Sequence, residues 1–262
     1  MRQFILLSAG LLLTRIASGQ EIVLEQGKDE FTGFEDTSIF SESQNAGGGS
    51  DGIFSGTTKL LHHRRALIRV DLSNLPDDSI VLEASLTMVV SQSGENFPDF
   101  DLSLHRLTRA WGEGDVVGVD AGGFGGAPQT GDATWTSSAH GSSAWSSPGG
   151  DFNAAPSATA AAGRSGDVVT WTSDGMAADI EGWLADPDSN HGWILISDIE
   201  GDKQRVKKFH SSEAVEFRPV LRITLMEAET QMPIGGPLGL AVLALALGTL
   251  ASVVVLRKHS AG

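Results

Sequence analysis

Residues 64–90 constrain the fold of this chain more than any other stretch. In the first half Ala66, Ile68, Val70 and Leu72 share one face of an extended chain, while Arg65, Leu67, Arg69 and Asp71 share the other. In the second half Leu82, Ala84, Leu86, Met88 and Val90 alternate with Val81, Glu83, Ser85, Thr87 and Val89. Successive side chains of a strand point to opposite faces, so a period of two with one apolar face marks a half-buried strand. The polar, proline-bearing segment Ser73-Asn74-Leu75-Pro76 between the two runs is a turn. Two such strands commit the chain to an antiparallel sheet laid on a core.

The remaining apolar segments extend that pattern. Residues 22–24, 37–40 and 53–54 supply short strands, with a glycine-rich loop at 45–52. Leu102, Leu104 and Leu107 place another strand, which ends at Trp111. Residues 112–132 and 137–165 are poor in apolar side chains and flank a brief extended piece, Ala133-Thr134-Trp135. An irregular excursion of that length is usually functional or mobile. Further strands are expected at 168–171, 192–197, 206–210 and 219–225. Met176, Ile180, Trp183 and Leu184 recur at helical spacing over 175–184, with Asp174 as the N-cap. Many short strands, one short helix and no βαβ alternation predict an all-β antiparallel sandwich of jelly-roll type.

Both ends read as targeting segments. Arg2, the apolar run 4–13 and the small residues Ala17-Ser18-Gly19 predict a signal peptide over residues 1–19, cleaved before Gln20. That run, ended by Arg15, is too short to span a bilayer. Residues 238–256 form an uncharged, mostly apolar run that at about 1.5 Å per residue matches the hydrocarbon core of a membrane. Arg257 and Lys258 follow directly, which puts the tail 257–262 on the cytoplasmic side. A linker over 227–237, carrying Met232-Pro233-Ile234-Gly235-Gly236-Pro237, joins this transmembrane helix to a β-domain over 20–226.

Composition excludes several functions. The formal charge is −15, and all four basic residues of the two ends lie outside 20–256. The rest of the chain holds fourteen basic residues against thirty-three acidic ones, close to −19. Phosphate backbones are bound largely through basic side chains, so nucleic acid is not an expected partner. With no cysteine there is no disulfide, thiolate zinc site or cysteine nucleophile. With no tyrosine, any stacking platform must come from six tryptophans, eleven phenylalanines and the histidines.

The motifs that resemble chemistry mostly reduce to turns. Gly48-Gly49-Ser50-Asp51-Gly52 has the spacing of a nucleophile elbow, which needs a strand before it and a helix after it. Here a polar stretch precedes and a strand follows. Residues 186–197 begin like a calcium loop, but His191 and Ser197 stand where glycine and a bidentate acid are required. His62 and His63 are adjacent on a strand and point to opposite faces. Acids near aromatic segments, Glu113 with Asp115 and Glu213 with Glu216, are the candidates for paired carboxylates. Asp36, Asn45 and Asp51 bracket the glycine-rich loop with hard oxygen atoms and are the expected ligands of a structural calcium ion. Trp145, set among Gly, Ser and Pro, is the first candidate for sugar stacking, followed by Trp111 and Trp135. Trp171, Trp183 and Trp193 sit in apolar patterns and are expected in the core.

Taken in order, these pieces resemble the DNRLRE-domain family of bacterial and archaeal surface proteins, which is related to a carbohydrate-binding module family. The matching segments are Asp36-Thr37-Ser38-Ile39, the loop 45–52, Arg65-Ala66-Leu67-Ile68-Arg69-Val70-Asp71-Leu72-Ser73 with Leu75-Pro76, and Ala84-Ser85-Leu86-Thr87. They continue with Leu104-His105-Arg106-Leu107-Thr108, Trp111-Gly112-Glu113-Gly114, Ala133-Thr134-Trp135 and Pro148-Gly149-Gly150-Asp151-Phe152. Asn190-His191-Gly192-Trp193, Phe209-His210-Ser211-Ser212-Glu213 and Arg218-Pro219-Val220-Leu221 complete the set. Val70 stands where that family usually has an aromatic. The resemblance implies a jelly-roll sandwich and, in some members, binding of acidic polysaccharide. The C-terminal end is similar to tripartite PEP-CTERM sorting signals, without the Pro-Glu-Pro itself, which implies an exosortase-like processing enzyme as a partner. The expected protein is a non-catalytic module displayed outside the cytoplasm of a bacterial envelope, binding or organising extracellular polysaccharide. A purely structural envelope protein and a polysaccharide lyase or hydrolase are the alternatives.

Overall fold

The computed structural model describes residues 19–77, 79–94, 99–118, 123–203 and 205–226. The expected signal peptide (apart from Gly19), linker, transmembrane run 238–256 and basic tail lie outside the described residues. Among the described residues no helix is long and apolar enough to cross a membrane.

The described residues form thirteen strands and one α-helix. The strands are β1 (Gln20–Glu25), β2 (Phe34–Phe40), β3 (Gly52–Thr57), β4 (His63–Val70), β5 (Ile80–Ser93), β6 (Phe100–Arg106), β7 (Ser137–Ala139), β8 (Ser143–Ala144), β9 (Ala158–Ala162) and β10 (Val168–Thr172). After the helix α1 (Asp174–Ala185) come β11 (Trp193–Ser197), β12 (Arg205–His210) and β13 (Val220–Met226). Every pairing is antiparallel. One wall of the curled sheet runs β1-β13-β5-β10. The other runs β12-β3-β4-β11-β6-β9, with β2 along the second edge of β4. β5 belongs to both walls: its start pairs with β13 and β10, and its end with β12.

The core between the walls takes Ala66, Ile68 and Val70 from β4, Leu102 and Leu104 from β6, and Trp193 and Leu195 from β11. The facing wall contributes Ala84, Leu86, Met88 and Val90 from β5, Trp171 from β10, and Leu221 and Ile223 from β13. Alternation thus places residues where the sequence puts them, with one exception. The register of β13 on β5 slips after Thr224, so that Thr224 faces Glu83 but Leu225 faces Val81. The bulge adds a residue and reverses the faces beyond it. Val81 goes inward, and Leu82, expected inside, is 49% exposed.

The helix closes one end of this core with Met176, Ile180, Trp183 and Leu184. Its N-cap is Ser173, not Asp174: the Ser173 hydroxyl accepts from the Met176 N–H at 3.1 Å, which leaves Asp174 as the first helical residue. Trp183 meets Trp193 edge to face with ring centroids 4.6 Å apart.

The long excursion is neither bare nor loose. Its Trp111, Ala133 and Trp145 pack on the outer side of the second wall, against Ile39, Leu67, Leu107, Ile194 and Ile196. Each indole N–H is satisfied, Trp111 by the His191 carbonyl and Trp145 by the Thr134 carbonyl, both at 2.9 Å. Three strands hidden in this low-apolar region escape the sequence pattern. The hairpin β7–β8 is a few residues long, and β9, Ala-Thr-Ala-Ala-Ala, pairs with β6 by burying only methyl groups. Removing a sealed aromatic ring from a core costs about 3–5 kcal/mol. Trp145→Ala is therefore expected to lower unfolding free energy by that amount in urea titrations, and a loss under about 1 kcal/mol would mean the ring is not sealed in.

Candidate functional site

Of the three tryptophans expected to face a sugar, two do not. Trp145 is 5% exposed and Trp111 4% exposed, because both anchor the excursion to the sheet. The Gly, Ser and Pro around Trp145 make the turns that fold the chain over it, and do not expose it. Trp135 alone remains half-buried at the surface.

Trp135 belongs to a strip of alternating rings and cations. Its ring stacks on His63 at 6.3 Å with 24° between the planes. The Arg65 guanidinium lies over Trp135 at 5.1 Å and over Phe152 at 5.4 Å. Phe152 in turn meets His105 at 5.3 Å. Arg65 is fixed by a two-pronged ion pair with Glu200, at 2.8 and 2.6 Å, and donates to the Gly149 carbonyl. Gly149 has φ +98°, and a Cβ there would press on both Arg65 and the Trp135 ring, so glycine is required.

Beside the strip opens a shallow cleft of about 510 Å³ lined by Arg65, Thr108, Arg109, Pro148, Asp151 and Phe152, among others. Arg109 donates to Asp151 at 2.6 Å and keeps 41% of its side chain exposed. Partial burial pushes the Asp151 carboxyl up, but the Ser146 N–H and the Arg109 guanidinium outweigh it and hold the group below the usual range.

The expected calcium ligands do not converge. The Asn45 amide donates to the Phe124 carbonyl at 2.6 Å. The Asp51 carboxylate, 68% exposed, pairs with Lys208 at 2.8 Å. Asp36 points elsewhere again: it is fully buried, and its Oδ2 accepts from the Ser212 N–H at 2.7 Å. Gly48 and Gly49 instead let the chain press against the backbone of Glu113 and Asp115, where any side chain would collide. The Gly49 N–H donates to the Val116 carbonyl at 3.0 Å.

That close approach brings Glu113 to Asp36. The Asp36 N–H donates to Glu113 Oε1 at 2.6 Å. Glu213, on the turn after β12, accepts from the Ser212 hydroxyl at 2.9 Å, beside the N–H that binds Asp36. The acids paired in the sequence, Glu113 with Asp115 and Glu213 with Glu216, thus give way to a group drawn from three distant segments. Burial, with the Glu213 charge next, raises the Asp36 carboxyl far above its usual range. Burial likewise drives Glu113 up to about 8 against the lowering effect of the Asp36 N–H, and raises Glu213. Among the described residues, no three histidine, aspartate or glutamate side chains already stand as a metal-binding group.

Comparison with protein-family models finds no match for this chain, and a search of curated proteins finds none either.

The raised acids fix the sign of a pH effect. A carboxyl whose folded value lies above its unfolded one stabilises the fold below the unfolded value and loses that contribution as pH rises through the folded value. The domain is expected to weaken between about pH 4.5 and 8 as Glu113 loses its proton. The loss amounts to roughly 2 kcal/mol once solvent screening of the partly exposed group is allowed for. Melting curves of Glu113→Gln should be flatter over that window; an unchanged slope would contradict the assignment.

Proposed function

We propose that this chain is an exported, envelope-anchored and non-catalytic module of jelly-roll type that binds extracellular polysaccharide, acidic chains foremost. The observation that carries this reading is the strip His63–Trp135–Arg65–Phe152–His105 with its open cleft. Within the cleft the Phe152 ring offers an apolar surface to a sugar, and the Arg65 and Arg109 guanidiniums offer cationic donors to a uronate carboxylate. The cleft is broad and shallow, which suits an extended polymer more than a small enclosed ligand. Its groups are held in advance: Arg65 by Glu200 and Gly149, Arg109 by Asp151 and Ser146. Little side-chain freedom remains to be lost on binding.

A glycosidase needs two carboxyl groups facing each other across a groove that admits the sugar. The acids gathered in this domain include the fully enclosed Asp36, an arrangement that ties segments together more readily than it straddles a substrate. The apolar run 238–256 and the N-terminal run 4–13 support export and anchoring, with the C-terminal signal handed to an exosortase-like enzyme.

A glycan array that includes alginate-like acidic polymers tests the reading. Binding is expected to such polymers, and Arg109→Ala and Phe152→Ala should each weaken it about tenfold, or 1.4 kcal/mol, with the fold retained by circular dichroism. If no polysaccharide binds, the strip is a structural seam and the chain is an envelope structural protein.

A further inference from the structure

We propose that Asp36, Glu113 and Glu213 together hold one divalent cation, calcium by their chemistry, that cross-links β2, the turn after Trp111 and the turn after β12. The signal is an orphan. Asp36 is fully buried, its Oδ2 is held by Ser212, and its Oδ1 has no hydrogen-bond donor. A buried carboxylate oxygen without a partner is rare in a folded protein and calls for an unseen ligand. The nearby cations do not supply one. Arg69 is paired with Glu35 and lies over the Trp111 ring at 5.2 Å. Arg218 donates to the carbonyls of Ala214 and Gln26.

The donors are carboxylate oxygens, with no histidine or thiolate among them, so a hard cation fits and zinc or copper does not. Calcium takes six to eight oxygens in flexible geometry, which suits carboxylates contributed by three independent segments; magnesium demands a tighter octahedron. As they stand, the three side chains do not yet form a metal-binding group, so the cation has to draw them together. The Glu213 carboxylate, on a surface turn and tied to its own neighbour Ser212, is the one free to swing in.

Terbium reports the site directly, because it takes the same oxygen ligands and is sensitised by a nearby indole, here Trp111 two residues from Glu113. The purified full-length chain, stripped with chelator, is titrated with terbium chloride at neutral pH under tryptophan excitation. Sensitised emission should saturate at one ion per chain, fall when calcium is added and persist in excess magnesium. Calcium alone should raise the melting temperature by several degrees, as a ligand specific for the folded state must. Glu213→Gln should weaken terbium binding at least about tenfold, whereas Asp51→Asn should leave it unchanged. Should Glu213→Gln fail to fold by circular dichroism, Glu113→Gln takes its place, and the wild-type titration stands on its own. Absence of sensitised emission together with an unmoved melting temperature overturns the proposal. So does emission lost in Asp51→Asn but kept in Glu213→Gln, which would return the ion to the glycine-rich loop.

Discussion

The structure depends on the burial of β4 from both sides. Ala66, Ile68 and Val70 enter the main core, while Leu67, from the opposite face, is equally sealed from water. A strand at the wall of a two-layer domain ordinarily shows its outer face to solvent. Here that face carries Leu67 between Arg65 and Arg69, and the neighbouring strands add Ile39 and Ile194. Such an apolar strip demands a cover, and the excursion supplies it with Trp111 and Trp145. The two arginines then work as the margins of that cover. Arg65 stacks on Trp135 and Phe152, and Arg69 on Trp111.

The acidic trio belongs to the same arrangement. Trp111 docks on the sheet, and two residues later Glu113 reaches the Asp36 backbone on β2. Directly opposite on β4, Arg69 pairs with Glu35, its register partner. Cross-strand ion pairs of this kind hold register without carrying much stability. A carboxyl buried like that of Asp36 is different, since it must find a proton, a donor or a cation. This tie between the sheet and its cover is therefore also charge-sensitive.

How much of this could be read from the sequence follows from the range of the interactions. The strand pair in 64–90, the positions of β10, β11, β12 and β13 and the helix are all legible, because alternation and helical spacing are local signals. The Leu82 reversal was not, since a bulge is decided by the partner strand. Nor was β9, whose alanines carry almost no hydrophobic contrast. For the site, Asp36 and Trp135 were found from their local setting, but their partners were not. Glu113 and Glu213 lie 77 and 177 positions from Asp36, and no spacing rule spans such a distance. Trp145 misled for a related reason: small polar neighbours are as common in tight turns over a buried ring as in exposed loops.

An excess of negative charge does not forbid an acidic ligand at the strip. At physiological ionic strength exposed charges are screened beyond about 8 Å, so the distant acids of a −15 chain hardly act on a ligand seated in the cleft. What the ligand meets is local: Arg65 and Arg109, each already paired with a carboxylate. Those pairs temper the charge while orienting the guanidinium planes against fixed rings. Were a polymer to bind there, its affinity would come from contacts repeated along the chain more than from long-range attraction.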